Sequence, residues 1–197
     1  MAEKLVVFSD YVCPFCYIGK TIAQKLVEDY GLEMEWVGYE INPRVPPEGL
    51  ALEELGIDEE YMKIVEDQVK KYAKMYDIDF KFPEFLPNSR LAIMCTKAAE
   101  KEGFFYDFYN AVFDVYWDKG QDIGDKKVLE RIAEEIGLSW DKVESYLQHE
   151  AEEDYEKALE RVEDEEIVEV PTFIIDNKRF QGVKPYNEFQ EYLENND

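Results

Sequence analysis

Histidine, cysteine and basic residues are scarce in this sequence. It has one histidine, His149, and three cysteines, Cys13, Cys16 and Cys95. Its 22 Lys and Arg residues stand against 46 Asp and Glu residues, which gives a formal net charge of -24. A surface this acidic repels nucleic-acid phosphates and anionic membranes, so we expect neither as a partner. Solubility is the simplest explanation of the acidity, and adaptation to high salt is the alternative.

Long apolar segments are also missing. The apolar run at residues 5–8 is too short for the core of a signal peptide, and no stretch is long enough to span a membrane. We therefore expect a cytoplasmic location. In a reducing compartment, a C-x-x-C pair is more often catalytic or metal-binding than a structural disulfide. A structural zinc site needs four ligands. Cys95 on an apolar helix face and His149 in a polar stretch do not complete one, so no metal is expected.

The hydrophobic pattern opens as strand, helix, strand. Residues 5–8 are typical of a strand buried on both faces. A helix is predicted to begin at Cys13, because Pro14 is well tolerated in a first turn, and to end at Gly31. Partial alternation over residues 33–41 predicts a second strand. This order is typical of a parallel pair of strands.

A long helical stretch follows a break in the pattern. Residues 42–49 contain three prolines and a glycine, which marks a boundary. The period is then helical for about a hundred residues. Strand character returns at residues 172–175 and 179–181 as a predicted hairpin, and Pro185 opens a final helix.

These elements predict an α/β fold with a discontinuous organisation. A βαβ opening and a ββα ending are expected to share one sheet. We assign residues 1–43 and 168–197 to this domain, and residues 44–167 to an inserted α-helical domain.

The pair Cys13 and Cys16 carries the predicted chemistry. Residues three apart on a helix share a face, so the two sulfurs can form a disulfide. At the helix N-terminus, unpaired N–H groups and the positive end of the dipole favour a thiolate on Cys13. Cys13 is then the nucleophile, and Cys16, expected to be more buried, is the resolving thiol. Pro14 and Phe15 carry no charge, so the helix end is the main source of activation.

A second part of the predicted site is the segment Val170, Pro171, Thr172. The proline precedes a predicted strand, where it cannot donate a ladder hydrogen bond, and X–Pro bonds are the natural place for a cis peptide. A cis Pro171 facing Cys13 would turn the Val170 backbone outward to bind an extended substrate segment. An ordinary proline at a strand edge is the alternative.

The sequence resembles the DsbA family of the thioredoxin superfamily, and more narrowly its FrnE-type branch, which includes 2-hydroxychromene-2-carboxylate isomerases. The matching segments are D-Y-V-C-P-F-C-Y-I-G at 10–19, E-I-N-P at 40–43, N-S-R-L-A at 88–92 and V-P-T-F at 170–173. They lie in order and cover nearly the whole chain. The resemblance implies a thioredoxin fold interrupted by a helical domain. It also implies Cys13 as nucleophile, Cys16 as resolving cysteine and Pro171 as the cis proline.

The chain departs from its relatives at two positions. Many thioredoxins carry a buried acid six residues before the first cysteine, where this chain has Val7, so a proton relay through that acid is absent. No histidine lies inside the redox motif, which argues against a strong oxidant. In the isomerase relatives a serine typically replaces the first cysteine and glutathione is the cofactor. The region of Asn88 and Ser89 approaches glutathione in such relatives, although a helix cap is the simpler role here.

The leading hypothesis is a thiol–disulfide oxidoreductase. Its substrates would be proteins or small thiols that contain a disulfide or a dithiol. No cofactor is required, and glutathione or a partner reductase would recycle the enzyme. One alternative is a glutathione-dependent isomerase or transferase acting on aromatic small molecules. Another is a chaperone-like peptide-binding module with idle cysteines. Cys95 is expected to be core packing.

Overall fold

The computed structural model describes residues 4–79 and 81–195 of the chain. Its strands are β1 (Lys4–Ser9), β2 (Glu33–Gly38), β3 (Leu50–Ala51), β4 (Phe85–Leu86), β5 (Thr172–Ile175) and β6 (Lys178–Gln181). Its α-helices are α1 (Pro14–Tyr30), α2 (Glu59–Met75), α3 (Arg90–Lys101), α4 (Phe105–Trp117), α5 (Lys126–Ile136), α6 (Trp140–His149), α7 (Ala151–Asp164) and α8 (Tyr186–Glu194).

A mixed four-stranded sheet in the order β2-β1-β5-β6 joins the two ends of the chain. β1 runs parallel to β2 and antiparallel to β5, and β5 and β6 form the predicted hairpin. The βαβ opening and the ββα ending therefore share one sheet, as the sequence predicts. This pairing brings Phe8 at the end of β1 opposite Thr172 at the start of β5. The segments that follow β1 and precede β5 consequently meet at one edge.

The sheet is covered on both faces. Leu5 and Val7 point to the face packed by α1 and α8, where Ile18 and Phe189 are buried in the main core. Val6 and Phe8 point to the opposite face, against apolar side chains of α7 such as Ala158 and Val162. A strand buried on both faces accounts for the unbroken apolar run of β1.

The second strand is shorter than predicted. β2 ends at Gly38 rather than at residue 41. The Tyr39 amide still donates to the Ser9 carbonyl at 3.2 Å, but the next two amides bind side chains instead. The Glu40 amide donates to the Tyr155 hydroxyl at 3.1 Å, and the Ile41 amide donates to the Asp10 carboxylate at 2.9 Å. Tertiary hydrogen bonds thus replace the strand ladder.

The expected helical stretch contains a small second sheet. β3 pairs antiparallel with β4, and a short 3-10 helix (Leu52–Leu55) follows β3. Strands of two residues are too short to produce a periodic pattern, so no sequence pattern predicts them. The six helices α2 to α7 all lie between β2 and β5 in the chain, as expected for an insertion. The exact domain boundaries at residues 43 and 168 stay a prediction.

Candidate active site

The first helix begins immediately after the first cysteine. Cys13 is the N-cap residue of α1, with extended backbone angles (φ -83°, ψ 120°), and Pro14 occupies the first turn. The Cys13 carbonyl accepts the amides of Cys16 at 3.0 Å and Tyr17 at 3.1 Å. The Cys13 amide donates to the Asp10 carbonyl at 3.3 Å, which closes the turn between β1 and α1. Cys13 therefore lies at the positive end of the helix dipole.

Both paired thiols are buried. Cys13 is 4% exposed and Cys16 is 1% exposed, so the expected difference in burial between them is small. Both are free thiols. Burial raises the pKa of Cys16 well above its usual range, and a hydrogen bond with the Cys13 side chain and the charge of Cys13 raise it further. Cys16 is accordingly a protonated thiol in contact with the Cys13 sulfur.

The loop before β5 faces the first cysteine. The Val170–Pro171 peptide bond is cis, and the Cys13 sulfur lies 3.8 Å from the Val170 carbonyl oxygen, to which it donates. Thr172 is buried, and its hydroxyl donates to the Glu169 carbonyl at 2.7 Å. On the far side of the loop, the Pro171 carbonyl accepts the Gly182 amide at 2.8 Å. The loop is therefore fixed from both sides with its Val170 carbonyl toward the thiol.

The two residues between the cysteines lie at the surface. Pro14 and Phe15 are half-buried. The Phe15 ring meets the Tyr72 ring of α2 edge to face, with centroids 6.4 Å apart. This places an apolar border beside Cys13, formed by the active-site turn and α2.

A cluster of polar residues lies beneath the cysteine turn, and it joins three of the sequence segments named above. We call it the buried polar cluster, and its members are Asp10, Glu40, Asn88, Ser89 and Tyr155. Glu40 accepts a hydrogen bond from Asn88 Nδ2 at 3.1 Å and one from the Tyr155 hydroxyl at 3.0 Å. Asp10 accepts the amides of Ile41 at 2.9 Å and Val12 at 3.4 Å, and it also binds the Ser89 side chain.

Asn88 and Ser89 have different roles from each other. The Asn88 side chain caps α3 by accepting the Arg90 amide at 3.0 Å, and its Nδ2 also donates to the Val45 carbonyl at 2.8 Å. Ser89 holds the N-cap position, but its side chain makes no capping hydrogen bond to the helix. Both side chains bind within the protein, and their contact with glutathione stays a prediction.

Asp10 and Glu40 are the residues of this site that the sequence analysis did not single out. Both are acids at the ends of predicted strands, which by itself indicates only a turn. Asp10 is fully buried and Glu40 is 8% exposed. Burial raises the pKa of Asp10 to about 6, against the opposing effect of hydrogen bonds from Ile41, Ser89 and Val12. Val7, at the position of the missing acid, is a buried apolar residue of β1.

The remaining sequence candidates lie elsewhere. Cys95 is completely buried in α3, and burial raises the pKa of its thiol. His149 is exposed at the end of α6 and bonds the Ser145 carbonyl. Among the described residues, no group of three or more His, Cys, Asp or Glu side chains is arranged to hold a metal ion. No helix within residues 4–79 and 81–195 is long and apolar enough to cross a membrane.

Comparison with known proteins agrees with the topology. A family model described as a DSBA-like thioredoxin domain matches residues 4–194. The chain is 27% identical over 197 residues to the uncharacterised protein YwbO of Bacillus subtilis, covering 98% of this chain and 96% of that one. It is 21% identical over 187 residues to 2-hydroxychromene-2-carboxylate isomerase of Pseudomonas putida, covering 89% and 86% of the two chains.

Solved structures confirm the fold. A probable DsbA oxidoreductase from Streptomyces coelicolor superposes with a TM-score of 0.83 at 19% identity, covering 98% of this chain and 89% of that one. The cytosolic disulfide reductase DsbM from Pseudomonas aeruginosa, in a structure with GSH, superposes with a TM-score of 0.73 at 14% identity, covering 98% of each chain.

Proposed function

Because the chain belongs to the family of DSBA-like thioredoxin domains, we propose that it is a thiol–disulfide oxidoreductase in which Cys13 is the nucleophile and Cys16 the resolving thiol. One observation carries this assignment. A protonated Cys16 bonds the sulfur of Cys13 one helical turn away, at the start of α1 and opposite the Val170 carbonyl. That arrangement supports attack by one sulfur and resolution by the other.

The exchange runs in two balanced steps. The Cys13 thiolate attacks one sulfur of a substrate disulfide, and the other substrate sulfur leaves and takes up a proton. Cys16 then attacks the Cys13 sulfur, the mixed disulfide breaks, and the second substrate sulfur leaves. The protein gains a Cys13–Cys16 disulfide and the substrate gains two thiols. The reverse sequence oxidises a dithiol, and the relative potentials decide the direction.

Substrate binding is assigned to the surface around Cys13. The Val170, Pro171 and Thr172 segment would align an extended chain by strand addition. Pro14 and Phe15 would contact its apolar side chains. The substrates would be proteins or small thiols.

Glutathione or a partner reductase would restore the reduced pair in a cytoplasmic setting. Support comes from DsbM, which is named as a cytosolic disulfide reductase and was solved with GSH. The FrnE-type branch rests on the four sequence segments, three of which meet in the buried polar cluster and the active-site turn.

Thiol trapping tests the assignment. Reduced protein is mixed with an aromatic nitrobenzoate disulfide, whose released thiolate is coloured, and the products are identified by mass spectrometry. We expect the full chain to form the Cys13–Cys16 disulfide and the Cys16→Ala variant to stop at a mixed disulfide on Cys13. The Cys13→Ala variant should form neither, and Cys95→Ala is the matched control that should behave like the parent. Failure of the parent to close the bridge would overturn the proposal.

A second candidate is a glutathione-dependent isomerase or transferase acting on an aromatic small molecule. It is favoured by the similarity to 2-hydroxychromene-2-carboxylate isomerase over 89% of this chain. Isomerisation needs no resolving thiol. Glutathione binding measured by calorimetry, with isomerisation of a hydroxychromene carboxylate preserved in Cys16→Ser, would support this candidate. Loss of all turnover in that variant would exclude it.

A further inference from the structure

A pocket of about 290 Å³ lies where the edge of the sheet meets the inserted helices. Its walls come from residues 35–38 of β2 and from α3, α6 and α7, and we call it the β2-edge pocket. Among the described residues, none of α1 or of the loop at 168–172 lines it, so it is separate from the thiol site. Its volume is close to the lower end of the range for ligand sites, about 300–1,000 Å³, so it suits a small molecule.

The backbone of β2 offers hydrogen-bonding groups to this pocket. β2 lies at the edge of the four-stranded sheet, and the N–H and C=O groups of successive residues point to opposite sides of a strand. The Tyr39 amide donates to the Ser9 carbonyl of β1, so the odd-numbered residues of this segment face β1. The N–H and C=O groups of Trp36 and Gly38 therefore point outward, at the place where both residues line the pocket.

The rest of the wall is largely apolar and rich in rings. Trp36 of β2, Ile93 and Met94 of α3, Tyr146 of α6 and Tyr155 of α7 all line the pocket and are all buried. Aromatic rings pack well against other rings in offset or edge-to-face contacts, and a methionine sulfur also attracts them. These walls favour a ligand with an aromatic body.

The charge of the pocket runs against that of the whole chain. The chain has 46 acidic and 22 basic residues, yet three bases and two acids line the pocket. The bases are Lys97, Lys157 and Arg161, and the acids are Glu35 and Asp154. A cleft in which basic groups exceed acidic ones attracts an anion.

Cations outside the pocket hold both of its acids. Asp154 pairs with Lys101 at 2.8 Å, and Glu35 pairs with Lys4 at 3.1 Å as well as with Arg161 of the pocket itself. Neither Lys4 nor Lys101 lines the pocket among the described residues. The negative charges of the wall are therefore already neutralised from behind.

The two lysines of the wall have only exposed partners that lie outside the pocket. Lys97 pairs with Glu100 at 2.5 Å and Lys157 pairs with Glu153 at 2.7 Å, each along its own helix. Exposed pairs of this kind contribute little to stability. Both ammonium groups can therefore turn to an incoming anion at little cost.

We propose that the β2-edge pocket binds a small aromatic carboxylate. The aromatic body packs against the buried wall of Trp36, Met94 and Tyr155. The carboxylate accepts hydrogen bonds from outward N–H groups of β2 and pairs with Lys97 or Lys157. This site does not take part in thiol–disulfide exchange, and its existence does not depend on that function.

Three probes that differ only in charge test the ligand class. Reduced full-length protein is titrated by calorimetry at low ionic strength with 2-naphthoate, 2-naphthamide and 2-naphthylmethylammonium. We expect 2-naphthoate to bind roughly tenfold more tightly than the amide, because charge-assisted hydrogen bonds are the stronger ones, and the ammonium to bind least. Equal affinity of the three probes, or preference for the ammonium, would overturn the proposal.

Filling the pocket tests its location. Ala158 of α7 is a half-buried residue of the wall, so Ala158→Leu places extra methyl groups in the cavity and should abolish the heat of naphthoate binding. Ala111→Leu substitutes a half-buried alanine of α4 outside the pocket and should bind like the parent. Binding that survives in a folded Ala158→Leu protein would overturn the proposal.

A charge variant keeps the test decisive if Ala158→Leu does not fold. Lys97→Gln alters an exposed side chain and should weaken naphthoate binding about threefold, the size of an exposed ion pair, without changing amide binding. Lys70→Gln on α2, which also removes one partner of an exposed pair within a helix, is the matched control and should change neither. Equal effects of the two substitutions would contradict the site.

The last variant separates this pocket from the thiol site. Cys13→Ala should bind naphthoate like the parent, since Cys13 is not part of the β2-edge pocket. Loss of binding in Cys13→Ala together with unchanged binding in Ala158→Leu would place the probe at the cysteines and overturn the inference. Failure of disulfide exchange in the parent would leave the naphthoate result unaffected, so the two proposals fail independently.

Discussion

The loop of Pro171 packs directly on Gly19, because that glycine has no side chain. A Cβ atom on Gly19 would lie 2.9 Å from Cγ and 3.0 Å from Cβ of Pro171. Gly19 is a helical residue inside α1, where glycine costs about 0.5–1 kcal/mol relative to alanine. The close approach explains why this cost is tolerated, since it fixes the loop that faces Cys13.

Substitution Gly19→Ala should therefore destabilise the protein in spite of its better helix propensity. Overpacking of a close contact costs about 1–3 kcal/mol, which exceeds the propensity gain. Displacement of Pro171 would also move the Val170 carbonyl away from the Cys13 sulfur. We expect a lower free energy of unfolding in urea and slower attack on a disulfide reagent. Glu28→Ala, at an exposed position of the same helix, is the control and should change neither. Full stability and full exchange in Gly19→Ala would contradict this account.

Cys95 should be inert in the native protein. It is completely buried, and burial raises the pKa of its thiol. Alkylation with iodoacetamide, followed by peptide mass spectrometry, should modify Cys13 first. Cys95 should react only when the protein unfolds, about 10³-fold or more slowly. A Cys13→Ala sample identifies the fast peptide, and fast labelling of Cys95 in that sample would contradict its placement in the core.

The sequence predicted the parts of the fold that depend on long, regular patterns. The unbroken apolar run of β1, the proline and glycine at the ends of α1 and the hairpin of β5 and β6 are all local features, and each is found. The end of β2 was not predictable in the same way. Its ladder stops because Asp10 and Tyr155, far apart in the chain, bind the next two amides.

The candidate site was predictable to a similar extent. Cys13, Cys16 and Pro171 follow from spacing and from the resemblance, and the fold brings their segments together. Asp10 and Glu40 lie within the matching motifs but are not predicted as site residues, because an acid after a strand is ordinary in a turn. Their burial depends on the packing of α3 and α7 against them, and a local sequence pattern does not predict that tertiary contact. The boundaries of the inserted domain stay predictions.

Removal of the Tyr155 hydroxyl should weaken the buried polar cluster. That hydroxyl donates to Glu40 at 3.0 Å and accepts the Glu40 amide at 3.1 Å. Tyr155→Phe leaves both groups without this partner in a buried place, which costs about 1–3 kcal/mol. Thermal unfolding should shift down by about 2–4 °C for each kcal/mol.

The matched control for this prediction is Tyr146→Phe on α6. Its hydroxyl donates to Asp154 at 3.2 Å, and Asp154 also pairs with Lys101. Asp154 keeps that partner, and Tyr146→Phe takes no acceptor from a backbone amide as Tyr155→Phe takes one from the Glu40 amide, so we expect a loss under about 1 kcal/mol. Equal losses of unfolding free energy in the two variants would mean that the hydrogen bonds of the Tyr155 hydroxyl stabilise the fold no more than the hydrogen bond of the Tyr146 hydroxyl does.

The buried carboxylate of Asp10 should also control how stability depends on pH, whatever reaction the protein performs. Its pKa is about 6 in the folded chain, above the ordinary value of 3.8, because of burial. The folded state then binds the proton more tightly than the unfolded state, so this contribution is fully present below about pH 4 and is lost as pH rises through about 6. A pKa difference of about two between the folded and unfolded states corresponds to ~3 kcal/mol of stability.

Urea unfolding of the parent and of Asp10→Asn, measured from pH 4 to pH 8, isolates the effect from the other carboxylates. We expect the difference in unfolding free energy between the two proteins to move by ~3 kcal/mol in favour of the variant over that window. Asp29→Asn is the contrasting control: a hydrogen bond from Lys25 lowers the pKa of this exposed acid, so it stays ionised throughout this window and its parent-to-variant difference should stay nearly constant. A parent-to-variant difference that stays constant from pH 4 to pH 8 would mean that Asp10 does not titrate in the folded protein as its burial requires.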